Sequence, residues 1–441
     1  MKYFFFDILL SFTLAVFFID PRIILLYFGF KVIGIFYLKY LIQGSDLKVI
    51  KIYNVVFMIF MSYLGLTHFV NINDPLTDYF YHNDQIVFYN DSIRIGLLDW
   101  NELIDGSILN SRYGKYPIFS LFIGLLYKLG SFLQVTDLLL FFKMSVVLLG
   151  SLIPATISSI LNLLNIRFKI SSFIYFSVFS YILTQTVVFT RDLSVAFFYT
   201  FFVYLMLAPK IKWRFLKLII VILIITGLRI EFGLFSIVFL LIFLTSKYRI
   251  NRNFKYFIIF ILGFTAFYFK VFDFFVDTFI VLKEYYIDYT GSTTTSSNSL
   301  FLKLANLPFP FNFLFSFFYT ALMPLPIFSL VILEDDLTLL PSIINPFYWI
   351  FVLGVSIFSL FKNRKKYTFL DLLLISSFLC ICLSSYVEPN VRRNFAVYPI
   401  IFLHYLVVKN NLSIRYRKSI FIFSLLFVIS INLFVYSYFI F

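Results

Sequence analysis

The sequence predicts an all-α polytopic integral membrane protein, and three observations carry that prediction. Hydrophobic residues make up 61% of the 441, against about 45–50% in an ordinary soluble protein. Charged residues make up only 13%, roughly half the usual share. A soluble fold of this size cannot bury so much apolar side chain, so much of its surface must face lipid. The apolar residues also come in long unbroken runs. An outer-membrane barrel would need alternating segments of about ten residues, so the spans are helical. Together these observations exclude a secreted domain, a cytosolic enzyme and a disordered chain. Residues 1–441 read as a single transmembrane helical domain.

A spanning helix needs about 20 apolar residues. The first run, 4–19, has no small-residue cleavage site and leads directly into another, so it reads as a span rather than a leader. Runs 23–38 and 55–70 follow, the former carrying Lys31 and followed at once by Lys39, both expected to snorkel to the interface. The next are 117–133, 138–164, 170–189 and 193–207. Residues 216–244 differ, because past Lys217 they are apolar except for Arg229 and Glu231 at the centre. Runs 257–282, 311–333, 347–361, 369–383, 395–408 and 420–441 complete the set. The total is about 12–15 crossings.

Orientation follows from charge. The net charge is +14, and basic residues cluster at 48–51, 210–217, 247–255, 362–366 and 409–418. Lys and Arg favour cytoplasmic loops, so these clusters are expected in the cytoplasm. No basic domain stands outside the membrane, which disfavours nucleic-acid binding. Segments 71–116, 283–310 and 384–394 then become external loops, as does the Arg191-Asp192 turn. Residues 216–244 become a hairpin of two short arms whose tip, Arg229-Ile230-Glu231, approaches the outer face. Parity fails between 117 and 169, where Gly150 to Pro154 marks 138–164 as a candidate second hairpin. It fails again between 311 and 361, where Pro324 and Pro326 interrupt a run. Cys380 and Cys382 lie in an apolar run with no second pair or nearby His, against both disulfide and zinc readings. The cytoplasmic loops are short and carry no P-loop or Gly-rich dinucleotide turn, against an ATP-driven pump and a transferase using cytosolic nucleotide-sugars.

Polar chemistry therefore gathers on one face. Segment 71–116 holds Asp74, Asp78, Asp84, Asp91, Asp99, Glu102 and Asp105, about a third of the chain's 22 acids. Ile86, Tyr89, Ile93 and Leu97 recur at helical spacing, so its middle is expected as an amphipathic helix on the outer leaflet. One carboxylate, led by Asp84 and Asp78, is a candidate general base for an acceptor hydroxyl. The bland alternative is that any long external loop carries charge. His82 is a second acid–base candidate or simply a polar loop residue. Arg191-Asp192 and Arg229 with Glu231 are charged pairs at membrane depth, where ionisable groups usually have a partner and a task. The arginines present planar donor forks suited to a diphosphate, or they form salt bridges that lock helices. Arg392 and Arg393 stand in an external loop against the positive-inside pattern, which a lipid-diphosphate substrate or anionic headgroups would explain. Segment 283–310 contains the GSTTTSSNS run, expected from composition to be flexible, and beside it stand Glu284, Tyr285, Tyr286 and Tyr289, whose rings suit sugar stacking. Asp335 and Asp336 are a candidate cation pair, although adjacent acids are common on surfaces. His68 and His404 stand alone in apolar runs and are expected to pack structurally.

The order of these features resembles membrane enzymes that assemble bacterial surface polysaccharide, namely the O-antigen polymerases and the GT-C superfamily of polyprenyl-linked sugar transferases. Three stretches carry the resemblance over roughly residues 70–410. One is Asn83-Asp84-Gln85 with Tyr89, running into Gly114-Lys115-Tyr116-Pro117. Another is Thr190-Arg191-Asp192 opening a helix, with Leu228-Arg229 beyond a basic turn. The last is Pro389-Asn390-Val391-Arg392-Arg393 opening a late helix. In the GT-C enzymes the acidic loop usually follows the first helix, whereas three apolar runs precede it here. The resemblance implies Asp84 or Asp78 as catalytic base, and Arg191, Arg229, Arg392 and Arg393 as a diphosphate grip; Glu231, His82 and Tyr289 are further candidates for binding the substrate. It implies an undecaprenyl-diphosphate-linked donor, a lipid-linked glycan acceptor, no cofactor, and contact with membrane lipid and with a chain-length regulator or other assembly proteins. The location implied is the bacterial inner membrane. Polymerase and single-sugar transferase both remain open, and a flippase for lipid-linked sugar is the competing expectation.

Overall fold

The structure is a computed structural model that describes residues 2–42, 46–70, 82–104, 117–208, 211–247, 308, 311, 340–362, 368–387 and 395–440. The described residues form helices and no strand. In chain order they are α1 (Lys2–Phe17), α2 (Arg22–Tyr40), α3 (Leu47–Val70), α4 (His82–Gly96), α5 (Trp100–Ile104) and α6 (Pro117–Phe132). Next come α7 (Leu138–Leu163), α8 (Ile170–Phe179), α9 (Ile182–Thr186), α10 (Asp192–Leu207), α11 (Arg214–Leu228) and α12 (Ile230–Lys247). The last four are α13 (Leu340–Lys362), α14 (Phe369–Val387), α15 (Tyr398–Val408) and α16 (Ile414–Ile440), with a 3-10 turn at Phe395–Val397. Among the described residues, α2, α3, α7 and the 344–362 part of α13 are long and apolar enough to cross a membrane.

Helix α7 is the central post, buried over most of its length among α2, α3, α10 and α15. Asp137 caps its N-terminus by accepting from the Leu140 N–H at 2.8 Å. Contrary to the expected second hairpin, α7 runs unbroken through Gly150 and Pro154. The physical reason is packing. A Cβ at Gly150 would stand 2.8 Å from Thr186 Cγ2 and 2.9 Å from Leu193 Cδ2, so the glycine admits α10 to the post instead of breaking it. Ser151, Thr156 and Ser158 donate to the Leu148, Leu152 and Ala155 carbonyls one turn back, so these hydroxyls are paired within the buried helix.

The two ends of the post differ in charge. At its N-terminal end His68 on α3 meets Asp137, Nε2 to Oδ2 at 2.6 Å, and the Thr136 hydroxyl donates to Asp20 at 2.6 Å. At the other end the cations collect. Lys48 donates to the Phe168 carbonyl at 2.7 Å, Lys409 to the Ser172 hydroxyl at 2.9 Å, and Arg214 to the Leu205 carbonyl at the end of α10 at 2.8 Å. We call these the acidic and basic ends.

Helix α6 packs beside the N-terminal part of the post. Near its start Phe119 shares the Phe189 ring with Phe142, in the second turn of α7. Near its end Gly130 abuts Leu138 and Phe141, in the first turn. The end of α6 therefore sits at the acidic end, while its start reaches Phe189 and, through Ile118, Gly227 of α11. Helix α4 runs beside it in parallel, with Phe88 on Phe119 at 4.9 Å and the Lys128 ammonium donating to the Leu98 carbonyl at 2.6 Å. The two form a layer over the end of the post. The inward face of α4 carries Gln85, Ser92 and Ile95, and Leu97 is exposed. That face is one position off the stripe expected from hydropathy.

Lys31 also departs from expectation. It is buried and ion-paired to Asp7 on α1, which also accepts from the Tyr27 hydroxyl at 2.7 Å. A carboxylate across the helix pair gives the ammonium an internal partner, so it does not reach for the interface. Lys39 is exposed in the last turn of α2.

Candidate functional site

Three interruptions of helix converge beneath the α4–α6 layer. The first separates α9 from α10. There the Phe189 N–H donates to Gln85 Oε1 of α4 at 2.9 Å, so the acid-bearing segment is tied directly to the Thr190-Arg191-Asp192 turn. Asp192 is the first residue of α10.

The second interruption is the hairpin. Arms α11 and α12 pack against each other, and a Cβ at Gly233 would stand 2.0 Å from Thr226 Oγ1, so only glycine allows the arms to close so tightly. Between them Arg229 adopts extended backbone, φ −154° and ψ 116°. Its Nη2 donates to Asp192 Oδ1, and its Nη1 lies 3.8 Å from Glu231 Oε1. Its Nε has no hydrogen-bond partner among the described residues. The third interruption is the Phe395–Val397 turn, which packs on α10. The segment containing Arg392 and Arg393 leads into that turn.

The cluster is recessed. Leu193 meets Gly150, which lies about 20 Å along α7 from its N-cap at 1.5 Å per residue. The hairpin tip meets the underside of the α4–α6 layer, where Ile118 abuts Gly227, so it does not extend out beyond that layer. Arms of 15 and 18 residues are about 22 and 27 Å long, short of the ~30 Å hydrocarbon core. Arg191, Arg229 and Asp192 are buried and Glu231 is half-buried.

Electrostatically, two helix N-termini, those of α10 and α12, meet at Arg229. Each carries an acid in its first turn, Asp192 and Glu231, placed as the helix dipoles favour. Arg229 bridges the two acids and so holds the hairpin on α10. Arg191 adds a second guanidinium at the same depth. Low dielectric strengthens whatever this donor set binds, and two guanidinium forks above converging N-termini suit an anion with several oxygens.

The structure thus brings Arg191, Arg229 and Glu231 together, along with the first turn of α4. Asp84 and His82 lie in that turn by backbone, and their side chains are outside the described residues. Asp78, Tyr289, Arg392, Arg393, Asp335 and Asp336 are also outside them. Sequence reasoning paired Arg191 with Asp192 and Arg229 with Glu231. The closest ion pair instead crosses between helices, Arg229 to Asp192.

Other partnerships had no local signal. His68 and His404 are not isolated. His68 holds Asp137, and His404 Nε2 lies 3.0 Å from Asp371 Oδ1 on α14. Burial raises the pKa of Asp137. The His68 hydrogen bond and charge, the Leu140 N–H and Lys143 lower it by more, so its carboxyl is held below the ordinary value. Below the Phe395–Val397 turn, Tyr398 stacks on Trp349 at 3.8 Å. The Tyr398 hydroxyl, the Trp349 indole N–H and the Asn345 amide one turn away are buried without partners among the described residues.

Compared with known proteins, the chain matches no family model, no curated sequence and no solved structure, so its function is argued from the site alone.

Proposed function

We propose that this protein is a multi-pass enzyme of the bacterial inner membrane that transfers glycosyl groups in surface-polysaccharide (O-antigen or capsule) assembly. It polymerises or extends undecaprenyl-diphosphate-linked glycans at the outer face. One observation carries the reading. The Gln85–Phe189 hydrogen bond joins the acid-bearing α4 to the Arg191 turn, directly beside the Arg229 bridge. A carboxylate from the acidic segment deprotonates the acceptor hydroxyl. Arg191 and Arg229, with Arg392 and Arg393 from the adjoining segment, stabilise charge as it develops on the departing diphosphate. Tyr289 and His82 contact the sugars. On this reading the basic end is cytoplasmic, the acidic end faces outward, and the chain crosses about 12–15 times.

A flippase for lipid-linked oligosaccharide is the second reading. The Asp7–Lys31 pair, buried between α1 and α2, favours it, since intramembrane ions often mark a transport path.

The test is the length distribution of surface polysaccharide in a deletion strain carrying the wild-type gene, Asp84→Asn, Asp78→Asn or Arg191→Gln. Glycan stopped at one repeat unit in the deletion, with no rescue by Arg191→Gln and by at least one of the Asp variants, supports polymerisation. A truncated repeat indicates single-sugar transfer. Full rescue by both Asp variants favours the flippase. A ladder unchanged by the deletion removes the polysaccharide assignment altogether.

A further inference from the structure

The last helix, α16, lies along α13, and beside their contact the bundle leaves a groove of about 540 Å³. That is within the range of about 300–1,000 Å³ typical of ligand sites. Leu353, Gly354, Phe358, Phe378, Ile420 and Phe423 line it, and its lining holds no charged side chain. Ile357, Phe361 and Phe423 are exposed, so one side is open to the bilayer. Trp349 and Tyr398 close it at one end, and Phe361 and Tyr416 stand at the other. From Trp349 to Phe361, α13 rises about 18 Å, a little more than half of the ~30 Å hydrocarbon core. The groove is therefore about one leaflet deep, measured from the basic end.

Cations surround the mouth at that end. The Lys362 ammonium sits 5.2 Å from the centre of the Tyr416 ring. Arg415 and Lys418 are exposed in the first turns of α16, and Arg417 is half-buried between them. No acidic residue occurs anywhere in α16. Cations at a helix N-terminus oppose the helix dipole, so an anion from outside the helix relieves this cluster. Burial first, and then the charges of Arg417 and Lys169, push the neighbouring Lys409 down to about 8.

We propose that this groove binds an anionic bilayer phospholipid, with one acyl chain along the α13–α16 wall and the phosphate held by Lys362 and Arg415, which flank its mouth. Charge complementarity selects an anionic over a zwitterionic headgroup. The head lies at the basic end, whereas the Arg191–Arg229 cluster is recessed from the acidic end, which separates this lipid from the lipid-linked substrate, so the inference does not depend on the proposed function.

The test uses the full chain, purified in mild detergent, with retained lipid identified by mass spectrometry. The chain is also reconstituted in nanodiscs of phosphatidylcholine alone or with phosphatidylglycerol, and thermal unfolding is followed. Two variants accompany the wild type, the double Lys362→Gln/Arg415→Gln and the groove-filling Ser419→Trp, which alters an exposed position. Wild type is expected to retain phosphatidylglycerol and to be stabilised by it. Each lost cation is expected to weaken retention about fivefold, roughly twenty-fivefold for the double variant, and Ser419→Trp to retain little. Equal retention of zwitterionic lipid, equal retention by the double variant, or recovery of a polyprenyl diphosphate from the groove overturns the proposal. If both variants misfold, the wild type decides alone, because equal unfolding temperatures in the two nanodiscs overturn it.

Discussion

Arg229, at the break between α11 and α12, donates to Asp192, the first residue of α10, across 37 positions of sequence. Both side chains are buried, so neither can fall back on water when the other is lost. Removing one partner of such a pair typically costs about 3–5 kcal/mol. We expect Arg229→Gln and Asp192→Asn each to lower the unfolding temperature markedly, and the double variant to lose clearly less than the sum. Additive losses in this double-mutant cycle would show that the two side chains do not stabilise each other.

The unbroken course of α7 is open to chemical labelling. In a Cys380→Ser/Cys382→Ser background, Ser151→Cys is expected to resist a membrane-impermeant maleimide from either side until the protein is denatured, because Ser151 is fully buried. Gln134→Cys, at an exposed position in the turn before α7, is the reactive control. Labelling of Ser151→Cys in the native protein would restore the hairpin reading of residues 138–164.

The His68–Asp137 pair carries a pH signature. The folded-state pKa of Asp137 is lowered from 3.8, so its contribution is fully present above that value and is lost as pH falls below it. Wild type and Asp137→Asn, compared by unfolding temperature, are expected to differ by a constant amount at neutral pH and to converge in strong acid. A gap that persists unchanged at the lowest accessible pH would refute the assignment.

Arg214 anchors the base of the hairpin. It donates to the Leu205 and Met206 carbonyls at the end of α10 and lies over the Phe243 ring. Hydrogen bonds to a charged donor contribute about 1.5–3 kcal/mol, so Arg214→Ala is expected to destabilise by about that much. Arg214→Lys is expected to recover only part of it, since an ammonium lacks the planar fork. Equal unfolding temperatures for wild type and Arg214→Ala would remove the anchor.

Hydropathy made most helices readable, because run length and interruptions are written in consecutive residues. The hairpin between Arg214 and Lys247 was readable for the same reason, from two charges in an otherwise apolar stretch. Burial was not. Residues 117–133 and 138–164 look alike in composition, yet α7 is buried over most of its length while α6 leaves Leu121, Leu125, Leu129 and Phe132 exposed. What separates them is their neighbours in space, not apolar content. The charged pairs show the same limit. Arg229 stands two residues from Glu231 in sequence, but its closest carboxylate is on another helix. Likewise, nothing near His68 or His404 in the chain announces Asp137 or Asp371. Gly150 and Pro154 resembled a break because both weaken isolated helices, whereas in a buried post they serve close approach.

The short hairpin arms have a consequence for how this chain is made. An apolar segment interrupted by an arginine is a poor candidate for independent insertion, because its charge has no partner in lipid. During synthesis, however, Asp192 leaves the ribosome 37 residues ahead of Arg229, at the head of α10, so the acceptor is already in place when the cation arrives. The arms need not be stable alone. They enter as a pair against a wall that already exists, and the order of the chain supplies the order of assembly.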